Sequence, residues 1–175
     1  MRDMMKNLVL TGKNLTLIPL KQRHLWEGKK TGESPVDRRK LGSKRSLLCD
    51  GRGIPQALSV HPSGQHDSTT IDELLDELCT DNIPLGSTVF LDKGYDSEHI
   101  REGFCFLGVK AVIPRRHSRP GRPWNLGKRR WMVERTFSWI NRFGKAKLRT
   151  EKTEKNYLAI LQVAASWITL RMVLG

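Results

Sequence analysis

Residues 87–100 read STVFLDKGYDSEHI, and the way the first half of this stretch hands over to the second decides the fold class. Residues 87–91 form a short apolar strand that ends at Asp92, and Gly94 two positions later allows a tight turn and close backbone approach. Ser97 stands where it can cap a helix running to about Leu107, and residues 109–113 make a compact β-branched strand that stops at Pro114. Strand, helix and strand in this succession require a sheet with helices on its faces, a mixed α/β architecture.

The pattern extends in both directions. Towards the N-terminus, the apolar runs SLLC and ALSV flank Asp50-Gly51-Arg52-Gly53, where glycines can take positive φ, so a β-hairpin is expected over residues 44–60. IDELLDEL at residues 71–78 has helical apolar spacing with acids early in the helix, which suits its dipole. Residues 1–30 carry one candidate strand, LTLIPL at residues 15–20, followed by a polar, basic run.

Towards the C-terminus, the Pro-, Gly- and Arg-rich residues 114–123 read as an exposed loop. A helix over residues 126–143 follows, with Val133, Phe137 and Ile140 on one apolar stripe. A last helix spans residues 154–173; Gln162, Ser166, Thr169 and Arg171 interrupt its apolar run, which fits a buried or amphipathic helix better than a membrane span. No repeat or linker divides the chain, and 175 residues suit one domain with a sizeable core.

Charge narrows the function classes. Lys and Arg number 31 against 18 Asp and Glu, a net charge of +13, and residues 115–149 hold twelve of these bases and one acid, or +11 of the total. Such a field favours a polyanionic partner, with nucleic acid as the first expectation and a solvated basic loop as the plain alternative. Cys49, Cys79 and Cys105 are widely spaced, odd in number and without a C-x-x-C pair, which argues against a disulfide framework or a zinc site and for small apolar residues in a reducing compartment. The first fifteen residues lack the apolar run and cleavage site of a signal peptide.

Two acids stand out. Asp92 lies at the carboxyl end of a strand, where open α/β sheets present ligand-binding groups; it could equally just end the strand while Asp96 or Ser97 caps the next helix. Glu134 is the single acid among Lys128, Arg129, Arg130, Arg135 and Arg142. An i,i+4 pair with Arg130 would be worth only about 0.3 kcal/mol. Alternatively, the bases hold phosphates while the carboxylate binds a divalent metal through oxygen, since magnesium takes one or two carboxylates with substrate oxygens and water. Asp67, in His66-Asp67-Ser68, reads as the cap of the following helix or as a neighbour of the site. Trp124, Trp131 and Trp139 could stack on bases or pack in the core.

TGESPVDRRKLGSKR, DGRGIPQAL, HDS, LDKGYDS, GVKAVIPRR, GRPWNLGKRRWMVERTFSWINRF and the NYLAILQVAAS helix, in this order from about Lys29 onward, resemble the DDE transposases of bacterial insertion sequences in the IS-four/IS-five group. The resemblance implies a ribonuclease H-like mixed sheet flanked by helices. It implies that Asp92 and Glu134 are the second and third members of a metal-binding acidic triad. Arg130, Trp131 and Arg135 would by the same analogy face DNA or brace the helix, and Arg115, Arg116, Lys128, Arg129 and Arg142 would complete a DNA-binding surface. The implied reaction is DNA strand cleavage and transfer with two metal ions, Mg2+ or Mn2+, in the cytoplasm, by a homo-oligomer on double-stranded transposon ends and target, with no membrane.

One departure accompanies it. The family's first aspartate lies on the first strand, whereas LTLIPL contains no acid. Residues 1–28 therefore read as a divergent or frame-shifted segment ahead of a catalytic domain at 29–175, with the first strand altered or missing and the chain truncated. A catalytically inactive remnant that only binds DNA is the alternative function. An RNA-binding protein is a weaker third, because no RNA-binding motif is evident.

Overall fold

The computed structural model describes residues 14–23, 32–33, 41–77, 83–84, 86–115 and 126–174. The hairpin forms where the glycines allow it. Strands β3 (Leu41–Asp50) and β4 (Pro55–Pro62) pair antiparallel across a turn in which Gly53 has φ +90. The Asp50 carboxylate holds that turn closed, accepting from the N–H groups of Arg52 and Ile54 at 2.9 Å each.

Strand β1 (Asn14–Arg23) is longer than LTLIPL and lies in the middle of the sheet, antiparallel to β3 and parallel to β5 (Thr88–Leu91). Among the described residues it joins β3 to β5 in the sheet. Strand β6 (Lys110–Val112) adds in parallel beyond β5, and β2 (Gly32–Glu33) pairs with the start of β3. Three antiparallel strands therefore lead into two parallel ones, in the order β4, β3, β1, β5, β6.

Alternation along the strands sends successive side chains to opposite faces, and each face has its own core. On one, Leu15, Leu17, Leu48, Val89 and Leu91 meet Ile71 and Leu74 of α1 (Ile71–Glu77) and Ile100 and Phe104 of α2 (Glu98–Phe106). On the other, Ile18, Leu47, Leu58 and Val60 meet α3 (Leu126–Ile140), α4 (Gly144–Lys147) and α5 (Glu154–Leu174). The expected stripe Val133, Phe137 and Ile140 is the buried side of α3.

Three local expectations change. Ser97 occupies the cap position of α2 but its side chain makes no capping hydrogen bond. Helix α3 stops at Ile140, not Phe143: the amides of Arg142 and Phe143 bond three residues back, to Trp139 and Ile140, and the Arg45 guanidinium holds the turn by donating to Asn141 Oδ1 and the Ala146 carbonyl, both at 3.0 Å. Cys49 is buried as expected of an apolar residue, whereas Cys105 is exposed and Cys79 lies outside the described residues.

Helix α5 is long and apolar enough to cross a membrane by length and composition. It is amphipathic here, burying Tyr157, Leu161, Ala164, Ala165 and Ile168 on the sheet and exposing Val163, Trp167 and Leu170. Two arginines are buried with it: Arg45 stacks over Phe137, and Arg149 stacks over Tyr157 while donating to Ser43 Oγ at 2.9 Å. Desolvation lowers the proton affinity of both guanidinium groups.

Candidate functional site

Strand β5 delivers Asp92 to its carboxyl end. The Asp92 side chain accepts from the Lys93 amide at 2.8 Å and opens a single 3-10 turn, Lys93–Tyr95. Asp92 thus ends the strand and caps the turn that follows it, and its carboxylate remains 27% exposed. Tyr95 anchors the turn from below: it is fully buried, its hydroxyl lies 3.3 Å from Ser46 Oγ, and burial pushes its pKa well above the usual range. At the far end Asp96 accepts from Arg101 at 2.7 Å.

Glu134 projects from α3, whose buried stripe fixes which way the helix turns its acid. Arg130, one helical turn earlier, connects the two acids. Its Nε lies 3.7 Å from Glu134 Oε1 and its Nη1 lies 3.9 Å from Asp92 Oδ1. Carboxylates from a strand end and a helix, far apart in sequence, thus converge on one guanidinium.

Among the described residues the donor set at Arg130 is these two acids. In the parallel pairing of β1 with β5, Leu17 stands opposite Leu91, so the next step along β1 sets Ile18 level with Asp92. Ile18 is 5% exposed and belongs to the core of Val133 and Phe137. Strand β1 is therefore apolar where it passes Asp92. Among the described residues no group of three His, Cys, Asp or Glu could hold a metal ion. One half-buried and one exposed carboxylate on regular elements nevertheless fit a single hydrated divalent ion, which needs one or two such ligands when substrate oxygens complete its shell.

The basic residues divide by what they already do. Arg135 lies between the rings of Trp131 and Trp139, 4.8 and 4.7 Å from their centroids, and donates to the Arg52 carbonyl at 2.5 Å. With the Thr136 hydroxyl donating to the Gly53 carbonyl at 2.7 Å, it ties α3 to the hairpin turn. Trp131 is 57% exposed, while Trp139 packs against the core. Arg115 and Arg142 are exposed. Lys128 and Arg129 lie in the first turns of α3, their side chains outside the described residues, as are Arg116 and Trp124 entirely.

Asp67 departs from its expected capping role. The side chain that accepts from the Ser68 amide is that of His66, while the Asp67 carboxylate pairs with Lys44 of β3 and lies against Gly94. Position in HDS hinted at this neighbourhood; nothing in the sequence pointed to Lys44.

A family model described as the transposase DDE domain matches residues 15–169. The chain is 33% identical over 155 residues to a protein assigned as transposase for insertion sequence element IS402 in Burkholderia cepacia, covering 83% of this chain and 72% of that one. It is 30% identical over 136 residues to one assigned to element IS6501 in Brucella ovis, covering 75% and 100%. In fold it is similar to the catalytic core domain of BIV integrase, with a TM-score of 0.51 at 13% identity over 88% of this chain and 81% of that one.

Proposed function

The chain belongs to the transposase DDE domain family and has its ribonuclease H-like fold, and from that premise we propose that it cleaves and transfers strands at the ends of an insertion sequence, with Asp92 and Glu134 as the protein's ligands to a divalent metal. The observation that carries this reading is their convergence on Arg130, 3.9 and 3.7 Å away. Mg2+ or Mn2+ suits a set made only of carboxylate oxygens. When bound, such an ion lowers the pKa of a water nucleophile and neutralises charge on the phosphoryl oxygens.

The chain's own residues supply placement. Asp92 is directed by its bond to the Lys93 amide, Glu134 by the docking of α3, and Arg130 balances both carboxylates until phosphate arrives. Arg115, Arg142 and the bases at the start of α3 attract the DNA backbone, and the exposed ring of Trp131 offers a surface for a base. A homo-oligomer on DNA belongs to the same proposal: exposed Val163, Trp167 and Leu170 on α5 are uncharged, so two copies of a +13 chain could meet there without charge repulsion. The reaction belongs in the cytoplasm, beside the DNA.

One observation favours a second reading, a DNA-binding remnant without cleavage: β1 presents Ile18 where it passes Asp92. Nicking of end-containing duplex DNA with Mn2+ decides between them. The enzyme reading expects wild-type nicking that falls about 100-fold or more in Asp92→Asn and Glu134→Gln, and nicking that survives both substitutions overturns it. Salt-sensitive binding without nicking, with cleavage gained in Ile18→Asp, identifies the remnant.

A further inference from the structure

Two residues of β3 on one face, Lys44 and Ser46, bear on the turn that carries Asp92, the first through Asp67 and the second directly. Ser46 contacts the Tyr95 hydroxyl. Lys44, 5% exposed, donates to the Gln65 carbonyl at 2.6 Å and forms an ion pair with the Asp67 carboxylate. Asp67 is held along its backbone as well, since its carbonyl accepts from the Thr70 amide at 3.1 Å and hydroxyl at 2.8 Å.

The carboxylate so fixed lies directly against Gly94. A Cβ added to Gly94 would fall 2.9 Å from Asp67 Cγ and 3.2 Å from its Cβ, with the nearer carboxylate oxygen closer still. Any side chain at position 94 would therefore compete with Asp67 for the same space. Removing two charges from water costs desolvation energy, so a largely buried ion pair is weak as a source of stability. Its rigidity, however, is useful under a short turn.

We propose that Asp67 is a positioning residue for Asp92: clamped by Lys44, its carboxylate is the floor on which Gly94, and with it the turn from Asp92 to Asp96, is seated. The proposal deepens the reading of Asp92 as a metal ligand and rests on it for its consequence, though not for its geometry. Glycine at position 94 follows from the close approach of the carboxylate.

Two measurements on the full chain separate these layers. Hydrogen exchange at the Tyr95 and Asp96 amides, which bond to the Asp92 and Lys93 carbonyls at 3.0 and 3.2 Å, reports the turn itself. Titration with Mn2+, followed by spin resonance, reports the ligand. Asp67→Ala is expected to speed exchange at both amides and to weaken Mn2+ binding about tenfold. Gly94→Ala, which leaves Lys44 its partner, is expected to do the same from the other side of the contact. In the Asp67→Ala background, Gly94→Ala should add less than about threefold, because the collision is gone.

Unchanged exchange at Tyr95 and Asp96 in both single variants overturns the positioning role. So does a Gly94→Ala effect as large in the Asp67→Ala background as alone. Asp92→Asn is the separate control: if it leaves Mn2+ affinity intact, the metal reading fails, while the exchange data still decide the role of Asp67.

Discussion

The two candidate carboxylates are held in opposite ways. Asp92 sits on a turn secured at several points: its own side chain bonds the Lys93 amide, Tyr95 is fully buried beneath it, and Asp96 is tied to Arg101. Glu134 is 57% exposed and rides on a helix whose grip is on the opposite side, through Val133, Phe137 and Ile140; its ion pair is with Arg130. One acid is therefore fixed in position and direction, the other in position alone. Under the proposed metal reading, Asp92 would be the preset ligand and Glu134 the one free to adjust.

The largest expected effect tests the anchored side. Tyr95→Ala removes a buried ring from beneath the Asp92 turn and should cost about 3–5 kcal/mol in chemical denaturation, with loss of Mn2+ binding. A cost below about 1 kcal/mol would mean that the turn does not depend on the ring, and the contrast with Glu134 would weaken.

An intermediate effect is expected at the junction. Arg130→Gln should leave stability within about 0.5 kcal/mol, because both of its ion pairs are partly exposed. Mn2+ affinity should rise a few-fold as a competing cation leaves, while DNA binding weakens and its salt slope falls by about one unit. Reduced Mn2+ affinity would instead show that Glu134 needs Arg130 to hold its direction.

The smallest signal concerns the docking of α3. Burial pushes the Cys49 thiol up to about 12 from an ordinary 9.0, and Thr136 of α3 is among its hydrogen-bond partners. With Cys79 and Cys105 replaced by serine, Cys49 should resist alkylation near neutral pH except when α3 lifts from the sheet. The native state keeps this proton to a higher pH than the unfolded chain, so its contribution to stability is complete below about pH 9 and lost as pH rises towards 12. Rapid labelling at neutral pH would show that α3, and Glu134 with it, is loosely seated.

Much of this arrangement is legible in the sequence because its causes are local. Asp50-Gly51-Arg52-Gly53 specifies the hairpin turn, alternation specifies the strands, and helical spacing specifies the buried side of α3 and hence the exposed side that carries Glu134. The end of α3 was less legible, since it depends on Arg45, 96 residues away from Asn141. The roles of Asp67 and Arg135 were open for the same reason: the groups that hold them, Lys44 and the Arg52 carbonyl, come from elsewhere in the chain.

Residue identity alone therefore determined the class of sheet, the basic field around one acid, the motif order and the lack of an acid in LTLIPL. Tertiary structure decided that this apolar strand is the central one, that Ile18 stands level with Asp92, and that Asp92 and Glu134 meet at Arg130. The physical reason is range: turns, caps and periodicity act over a few residues, whereas strand pairing and buried ion pairs join distant segments whose proximity only the folded core creates.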